Sequence, residues 1–411
     1  MTTAETAKDM TALEGLKVID LTHIMAGPTC TLMLADMGAD VIKVEKLPGG
    51  DDTRRSIPPA VGEESAAFLM MNRSKRGIAL DLRSEGGKRV LHRLLKDADV
   101  VVENYRRQTL PKLGFDYESL RTDNPGLIYC AISGFGRTGP YKDRGGFDLV
   151  AQAMSGIMSI TGTKKGEPPV KCGAPLTDIT AGLLAVIGIL AALRAREQTG
   201  RGQMVETSLL EAGIIHTYWQ SAITLATGTS PGPMGSAHPL NAPYQAFETS
   251  DGWLVVGGAN ETNWRRLVDL LGAPELADDP RFRTNADRMQ NLKALETALN
   301  AHFRQATTAD WLERLEAAGV PAGPVYDIAQ MHEDPQVRAR DMVTDVEHAT
   351  LGTVKTLGLP IKFSDTPGGP RFAAPVYGQH TSEILMEHGF SQAEIEALAD
   401  EGAIGMAAAA E

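Results

Sequence analysis

Asp178 lies in the stretch GAPLTDITAG, residues 173–182, immediately before a long apolar run. A carboxylate in that place supports two readings. As an N-cap, its oxygen would satisfy free N–H groups in the first turn of the following helix. As a nucleophile, it would attack an activated carbonyl and form a mixed anhydride, splitting one transfer into easier steps. The positive end of the helix would favour its ionised form. The residues alone leave both readings open. Asp148, in GGFDLVAQAMSG, raises the same question: a cap for its own helix, or a second carboxylate beside the reaction.

A second set of residues gathers where strands are expected to end. HIMAGP (23–28) follows the run LKVIDLTH, and α/β sheets bind ligands beyond the carboxyl ends of their strands. The plainer reading is a tight turn with Pro28 opening a helix. Lys46, Arg83, Asn104, Tyr105, Arg106 and Lys112 stand at or just past further expected strand ends. Each cation alone reads as a solvated surface charge. Together they recur on one side of the inferred sheet and make a candidate pocket for an anionic ligand with a flat part. Cations would hold phosphates and Tyr105 would pack on a base. SGFGRTGPYKDRGGFDLVAQAMSG (133–156) is glycine-rich and too long for a simple turn, the kind of loop that often carries function.

The elements that must position these residues alternate. LKVIDLTH is a strand, AGP turns the chain, TCTLMLADMGAD is a helix and VIKVEK a second strand. RGIALDL, DVVVENY and GLIYCAISG continue the strands, and SEGGKRVLHRLLKDA sets Val90, Leu91, Leu94 and Leu95 on one helical face. This alternation predicts an α/β fold with a parallel sheet and helices on both sides. A dinucleotide fold would carry G-x-G-x-x-G in the first β–α turn; THIMAGPTC has one glycine and a proline, so an NAD cradle is missing. The run after Asp178 is apolar on nearly every face and is expected to be buried all round, with Gly200 as its C-cap.

With 411 residues the chain suggests two domains. The Gly-, Pro- and Ser-rich segment 227–243 and the segment near 318–330 read as crossings. They divide the chain into 1–226, a middle domain over 227–330, and a C-terminal part, 331–411. The middle opens with the hairpin YQAFETSDGWLVVGGAN, and helical patterns follow over 261–271, 289–305 and 308–318. The net charge of −12 argues against nucleic acid as a partner. No run of eighteen uncharged apolar residues is present, so no membrane span is expected. The polar, acid-containing N-terminus reads as a loose arm, not a secretory signal. Cys30, Cys130 and Cys172 are widely separated, and the nine His form no ligand pair, which argues for a reducing compartment, a cytoplasmic location and no metal.

VIDLTHIMAGPTCTLMLADMGADVIKVEK, NRSKRGIALDL, VVENYRRQTLPKLGFDYESL, ISGFGRTGP, GGFDLVAQAMSG, DITAGLLAVIGILAALRAREQTGRGQMVETSLLEA and APVYGQHTSEIL occur in order. Together they resemble the class III coenzyme A transferases of the CaiB/BaiF type, the formyl-CoA:oxalate, carnitine, bile-acid and dicarboxylate CoA-transferases. The resemblance implies a Rossmann-like large domain built from both ends of the chain and a smaller α+β domain from the middle. It also implies a homodimer of two interlocked rings. Coenzyme A would enter as a thioester substrate, with no permanently bound cofactor.

The resemblance further implies that Asp178 is the nucleophile, passing through an aspartyl anhydride and an aspartyl-CoA thioester. His23, Ile24, Met25 and Ala26 would line the coenzyme. Lys46 would lie near the adenine. Leu80, Arg83, Asn104, Tyr105 and Arg106 would form the nucleotide end, and Lys112 would contact phosphate. Asp148 matches an acidic residue close to the catalytic Asp. Gly257, Gly258 and Ala259 match a glycine run that closes over the intermediate. Met25 replaces a polar residue of the formyl-CoA enzyme, and VGGANET is a thinner glycine run, which points away from formyl-CoA and oxalate. HPLNAPYQAF and DDTR (51–54) look similar to the dicarboxylate-using members, with succinyl-CoA as a donor and Arg54 or Arg55 on a distal carboxylate. The alternatives are a 2-methylacyl-CoA racemase and a CoA-binding protein without catalysis. The racemases carry a proton-shuttling His directly before the Asp that matches Asp148, and here Phe147 stands there.

Overall fold

The computed structural model describes residues 10–407; most of the expected N-terminal arm lies outside them. The chain divides into two compact units. One runs to Ser155, resumes over Cys172–His216 and takes in the chain from Pro335; the other is Gly156–Lys171 with Thr217–Asp334. The second unit thus takes in 156–171 and 217–226, segments that the sequence reading assigns to the large domain.

In the first unit, β-branched runs form β1 (Lys17–Asp20), β2 (Asp40–Lys46), β3 (Arg76–Leu80), β4 (Val100–Glu103), β5 (Ile128–Ser133) and β6 (Met204–Ser208). They pair in the order β3-β2-β1-β4-β5-β6, all parallel, and the short strand Ile404–Gly405 joins β3 antiparallel at the edge. Alternation sends Val18, Val41, Val100, Val102, Ile128 and Cys130 into one core and Ile19, Ile42, Val44, Val101 and Tyr129 into the other. Both faces of the sheet are therefore covered, as parallel sheets require. The strand order reverses between β1 and β4. At such a switch point the crossovers leave to opposite faces and a crevice opens at the strand ends.

The helices that matter for the site are α1 (Ala26–Asp36), α2 (Glu85–Lys96), α3 (Asp148–Met154), α4 (Leu176–Thr199) and α5 (Leu209–Ile214). Ser84 caps α2 by accepting from the Gly87 N–H, and Val90, Leu91, Leu94 and Leu95 form its buried face, as its spacing predicts. The AGP segment belongs to the first turn of α1, not to a turn before it. α4 packs closely on α1. A Cβ on Gly182 would come within 2.6 Å of the Ala26 carbonyl oxygen and 2.8 Å of Thr29 Cβ, so only glycine permits this approach. Gly200, at φ +68°, ends α4 in the left-handed conformation that glycine adopts without strain.

α4 is not buried all round. Leu183 and Ile187 are exposed, Ile187 at 63%. By length and composition alone this helix is apolar enough to cross a membrane. Its other face packs on α1 and α5 and forms one wall of the first unit's core, with Ala181, Ala185 and Ile189 buried.

The second unit has its own three-stranded antiparallel sheet, Ala322–Pro324 beside Trp253–Gly257 beside Tyr244–Glu248, the last two forming the expected hairpin. Its core is aromatic, with Phe247, Trp264, Phe282, Phe303 and Trp311 buried. Arg288 is fully buried there. It donates to the carbonyls of Ala242 and Phe282 at 2.7 and 3.0 Å and pairs with Glu261 at 2.7 Å.

Candidate active site

A cavity of about 330 Å³ opens at the switch point of the first unit, within the size range of small-molecule sites. The segment after β1 supplies His23, Ile24, Met25 and Ala26; the segment after β4 supplies Asn104, Tyr105, Arg106 and Arg107; the end of β5 supplies Ser133 and Gly134. α4 brings in Asp178. The sheet topology thus gathers residues far apart in sequence onto one rim.

The β1–α1 turn is tightly held. The Asn104 side chain clamps the His23 peptide: the His23 N–H donates to Asn104 Oδ1 at 3.0 Å, and Asn104 Nδ2 donates to the His23 carbonyl at 2.8 Å. The His23 ring meets the edge of Tyr105 with centroids 4.6 Å apart. Burial lowers the His23 pKa despite the nearby Asp51 carboxylate, and burial raises Tyr105 to about 12. No side chain caps α1 among the described residues, which leaves N–H groups at its start for a ligand's oxygens.

Asp178 is the third residue of α4. The N-cap position is Pro175, and no side chain caps this helix end from within it. The Asp178 carboxylate makes no hydrogen bond or ion pair among the described residues, so capping is not its role. Burial and the negative charge of Asp148, in that order, raise its pKa from 3.8 to about 6. These two effects outweigh the helix end, which acts in the opposite direction.

Asp148 does not cap its own helix either; it is the first residue of α3, and Phe147 holds the cap position. Its Oδ1 accepts from the Thr177 N–H at 2.9 Å and the Thr177 hydroxyl at 2.8 Å, in the first turn of α4. Its Oδ2 accepts from Gln152 Nε2 at 2.7 Å, and Gln152 Oε1 in turn accepts from the Cys172 N–H at 2.9 Å. Asp148 therefore caps α4 from a neighbouring helix and places a charge near Asp178 without lining the cavity.

Four of the other expected contacts, Lys46, Leu80, Arg83 and Lys112, lie outside the cavity. Lys46 is exposed and pairs with Asp52 at 2.7 Å. Leu80 is fully buried in β3, while Arg83 and Lys112 are exposed and do not line the cavity. Gly257, Gly258 and Ala259 belong to the second unit, where Arg288 donates to the Ala259 carbonyl at 3.4 Å. Arg54 is not available for a substrate carboxylate. It is spent on Glu45 at 2.7 Å, Glu64 at 3.2 Å and the Pro375 carbonyl, and it lies over the Phe68 ring. Arg55 pairs with Asp52, and neither arginine reaches the cavity.

Of the cations that line the cavity, the sequence reading named Arg106 and missed Arg107, Arg137, Lys142 and Arg144. Arg137 pairs with Glu103 and Arg107 with Asp143, whereas Arg106, Lys142 and Arg144 carry no ion pair among the described residues. The signal was the glycine-rich loop itself. Gly145 lies against the Arg106 guanidinium, where a Cβ would come within 2.8 Å. Glycine there lets the loop close over that side chain.

A cavity with free cations, an uncapped helix start and an unpaired carboxylate suits an anionic acyl carrier, and comparison with known proteins agrees. Residues 13–381 match the model of CoA-transferase family III. A succinate–glutarate CoA-transferase of Agrobacterium fabrum is 42% identical over 381 residues, 91% of this chain and 95% of that protein. The human succinyl-CoA:glutarate CoA-transferase is 39% identical over 375 residues, 91% of this chain and 85% of that protein. The crystal structure of a CaiB/BaiF family protein from Brucella suis, 43% identical, superposes with a TM-score of 0.83 over 92% of this chain and all of that one. With a match along most of its length and a fold that follows the same plan, this chain belongs to the family III CoA-transferases and moves coenzyme A between acyl-CoA and carboxylic acids.

Proposed function

We propose that Asp178 is the nucleophile of a ping-pong transfer between succinyl-CoA and a small dicarboxylic acid. The observation that carries this reading is the Asp178 carboxylate itself: half-buried, without a partner among the described residues, and set in the cavity wall. Its oxygen attacks the thioester carbonyl, the C–S bond breaks, and an aspartyl anhydride forms with CoA thiolate. The thiolate attacks the aspartyl carbonyl of the anhydride, giving an aspartyl-CoA thioester and releasing the donor acid. The acceptor carboxylate then attacks that thioester, forming a new anhydride and thiolate. Attack of the thiolate on the acceptor's acyl carbon yields the new acyl-CoA and restores the Asp178 carboxylate. No step changes an oxidation state, and the thiolate released in each attack is consumed in the next, so the steps as written call for no resident cofactor.

A carboxylate with a pKa near 6 is mostly ionised at neutral pH yet more basic than an ordinary Asp, which favours attack on a thioester. His23–Ala26, Asn104, Tyr105 and Arg106 would hold the coenzyme. The dicarboxylate assignment is supported by the glutarate-using relatives and by the unpaired Arg106, Lys142 and Arg144, which offer a second carboxylate a counter-charge. Turnover confined to monocarboxylates would remove it. We also propose a homodimer, because Phe147, Leu149 and Val150 on and beside α3 and Leu183 and Ile187 on α4 leave apolar surface open. The deciding experiment is the intact mass after brief incubation with succinyl-CoA. A covalent adduct on wild type and none on Asp178→Ala is expected; an equal adduct on both would remove Asp178 from the mechanism. The racemase alternative lacks support here, since Phe147 lines the cavity and cannot carry a proton.

A further inference from the structure

Beneath the β1–α1 turn lies a layer of charge that the transfer chemistry does not use. Asp20, Lys43, Asp51 and Lys75 are each at most 3% exposed. Lys75 stands 3.0 Å from Asp20, and Lys43 stands 2.9 Å from Asp51. Buried ion pairs are weak stabilisers, because desolvation of the charges offsets their attraction. Their value here lies in what they hold. Lys43 donates to the Thr22 carbonyl at 2.9 Å, and Lys75 to the Pro28 carbonyl at 3.2 Å. Asp20 accepts from the Thr22 N–H at 2.9 Å and the Thr31 hydroxyl at 2.6 Å. Asp51 Oδ1 accepts from the Ile24 N–H at 3.2 Å.

Ile24 is the residue that most needs such support. Its φ is +67°, in the left-handed region that a β-branched side chain rarely adopts. A conformation of this kind persists only where the surroundings impose it, and such residues gather at ligand sites. On one side of Ile24, Asn104 clamps the His23 peptide; on the other, α1 begins at Ala26. The Ile24 N–H itself turns to Asp51. Burial would raise the Asp51 carboxyl, but the Lys43 ammonium beside it holds it well below the usual carboxylate range.

We infer that Asp51 is a positioning residue: paired with Lys43, it fixes the Ile24 peptide in its left-handed conformation and thereby shapes the His23–Ala26 wall for acyl-CoA. This rests on the reading of that wall as the coenzyme contact. The test exchanges the pair for apolar groups of similar size, Lys43→Met with Asp51→Leu, a replacement of buried charge that proteins often tolerate without loss of folding. The expected result is a melting temperature close to wild type and a kcat within about twofold. The KM for succinyl-CoA should rise about tenfold, equivalent to about 1.4 kcal/mol, with the acceptor KM unchanged. In an Ile24→Gly background, where glycine adopts positive φ freely, the same exchange should raise the donor KM only about twofold.

The single Asp51→Asn variant keeps a neutral acceptor, so its donor KM should fall between those of wild type and the double variant; it leaves the buried Lys43 without its paired carboxylate and is expected to melt earlier, so both variants are assayed below their melting onset. An unchanged donor KM, or an equal loss with Ile24 and in the Ile24→Gly background, would overturn the inference while leaving Asp178 and the cavity as described. A wild-type protein that forms no covalent adduct with any acyl-CoA would overturn the site reading first, and this inference with it.

Discussion

Removing the charge of Asp178 should strengthen the fold while it abolishes transfer. In the folded chain the carboxyl titrates at about 6 instead of 3.8. The protonated form is therefore the one the fold prefers. The group adds no cost below pH about 3.8, a growing cost as pH rises from there to about 6, and the full cost above it. The difference between the two values corresponds to at most about 3 kcal/mol. The carboxylate faces a cavity open to water, and solvent screening reduces this to about 1–2 kcal/mol. Asp178→Asn keeps the shape and discards the charge. Urea midpoints at pH about 7.5 should rise by the equivalent of about 1–2 kcal/mol, and by about half as much at pH about 5, where the wild-type group is already mostly protonated when folded. A loss of stability at pH about 7.5, or the same gain at both pH values, would refute the reasoning, because the cost would then not come from the charge. The covalent adduct with succinyl-CoA should be absent at both.

Three further outcomes follow from the geometry. Asp148→Asn removes the smaller of the two influences that raise Asp178, so the rising limb of adduct formation against pH should move to lower pH by at most about one unit; quenched-flow mass spectrometry across pH about 4.5–8 reads it, and an unmoved limb refutes the coupling. Gly182→Ala forces a Cβ to within 2.6 Å of the Ala26 carbonyl oxygen, and calorimetry should show a loss of about 1–3 kcal/mol with a weakened donor KM, since the same contact sets α4 against the start of α1. Arg54→Met strands the buried Glu45 and should cost about 3 kcal/mol while the acceptor KM stays at its wild-type value; a raised acceptor KM at unchanged stability would restore Arg54 as a substrate contact.

Strand and helix periods made the fold legible in the sequence. The alternation of Val100–Val102 and of Ile128–Ala131 reports burial on both faces, and the face of α2 is fixed by Val90, Leu91, Leu94 and Leu95. The strand ends located the cavity, because the β1 and β4 crossovers must separate at the switch point. Sequence spacing could not say which cation faces inward. Lys46 and Arg54 sit beside strand ends, as Arg106 does, but each meets a carboxylate first. That outcome depends on Asp52 and Glu45, whose side chains are placed by tertiary packing. The exposed side of α4 was hidden for a related reason. An all-round apolar helix carries no polar stripe to mark the face left open.

The fate of the other carboxylates explains why Asp178 stands out. Asp20 lies against Lys75, Asp36 against Arg73, Glu45 against Arg54, Asp51 against Lys43 and Glu103 against Arg137. Each is buried, and each has its charge answered, as burial demands. Asp148, lacking a cation, is answered by three hydrogen bonds. Asp178 has neither answer among the described residues, and the charge that acts on it, Asp148, is also negative. A guanidinium beside it would lower its free energy in the resting protein and make it a weaker nucleophile, since both follow from the stability of the anion. The cations of the cavity instead remain on Arg106, Lys142 and Arg144, where they can meet charge carried in by the ligand. The resting fold thus bears the cost of an unanswered carboxylate, and the proposed attack on a thioester would relieve that cost by turning the anion into a neutral anhydride.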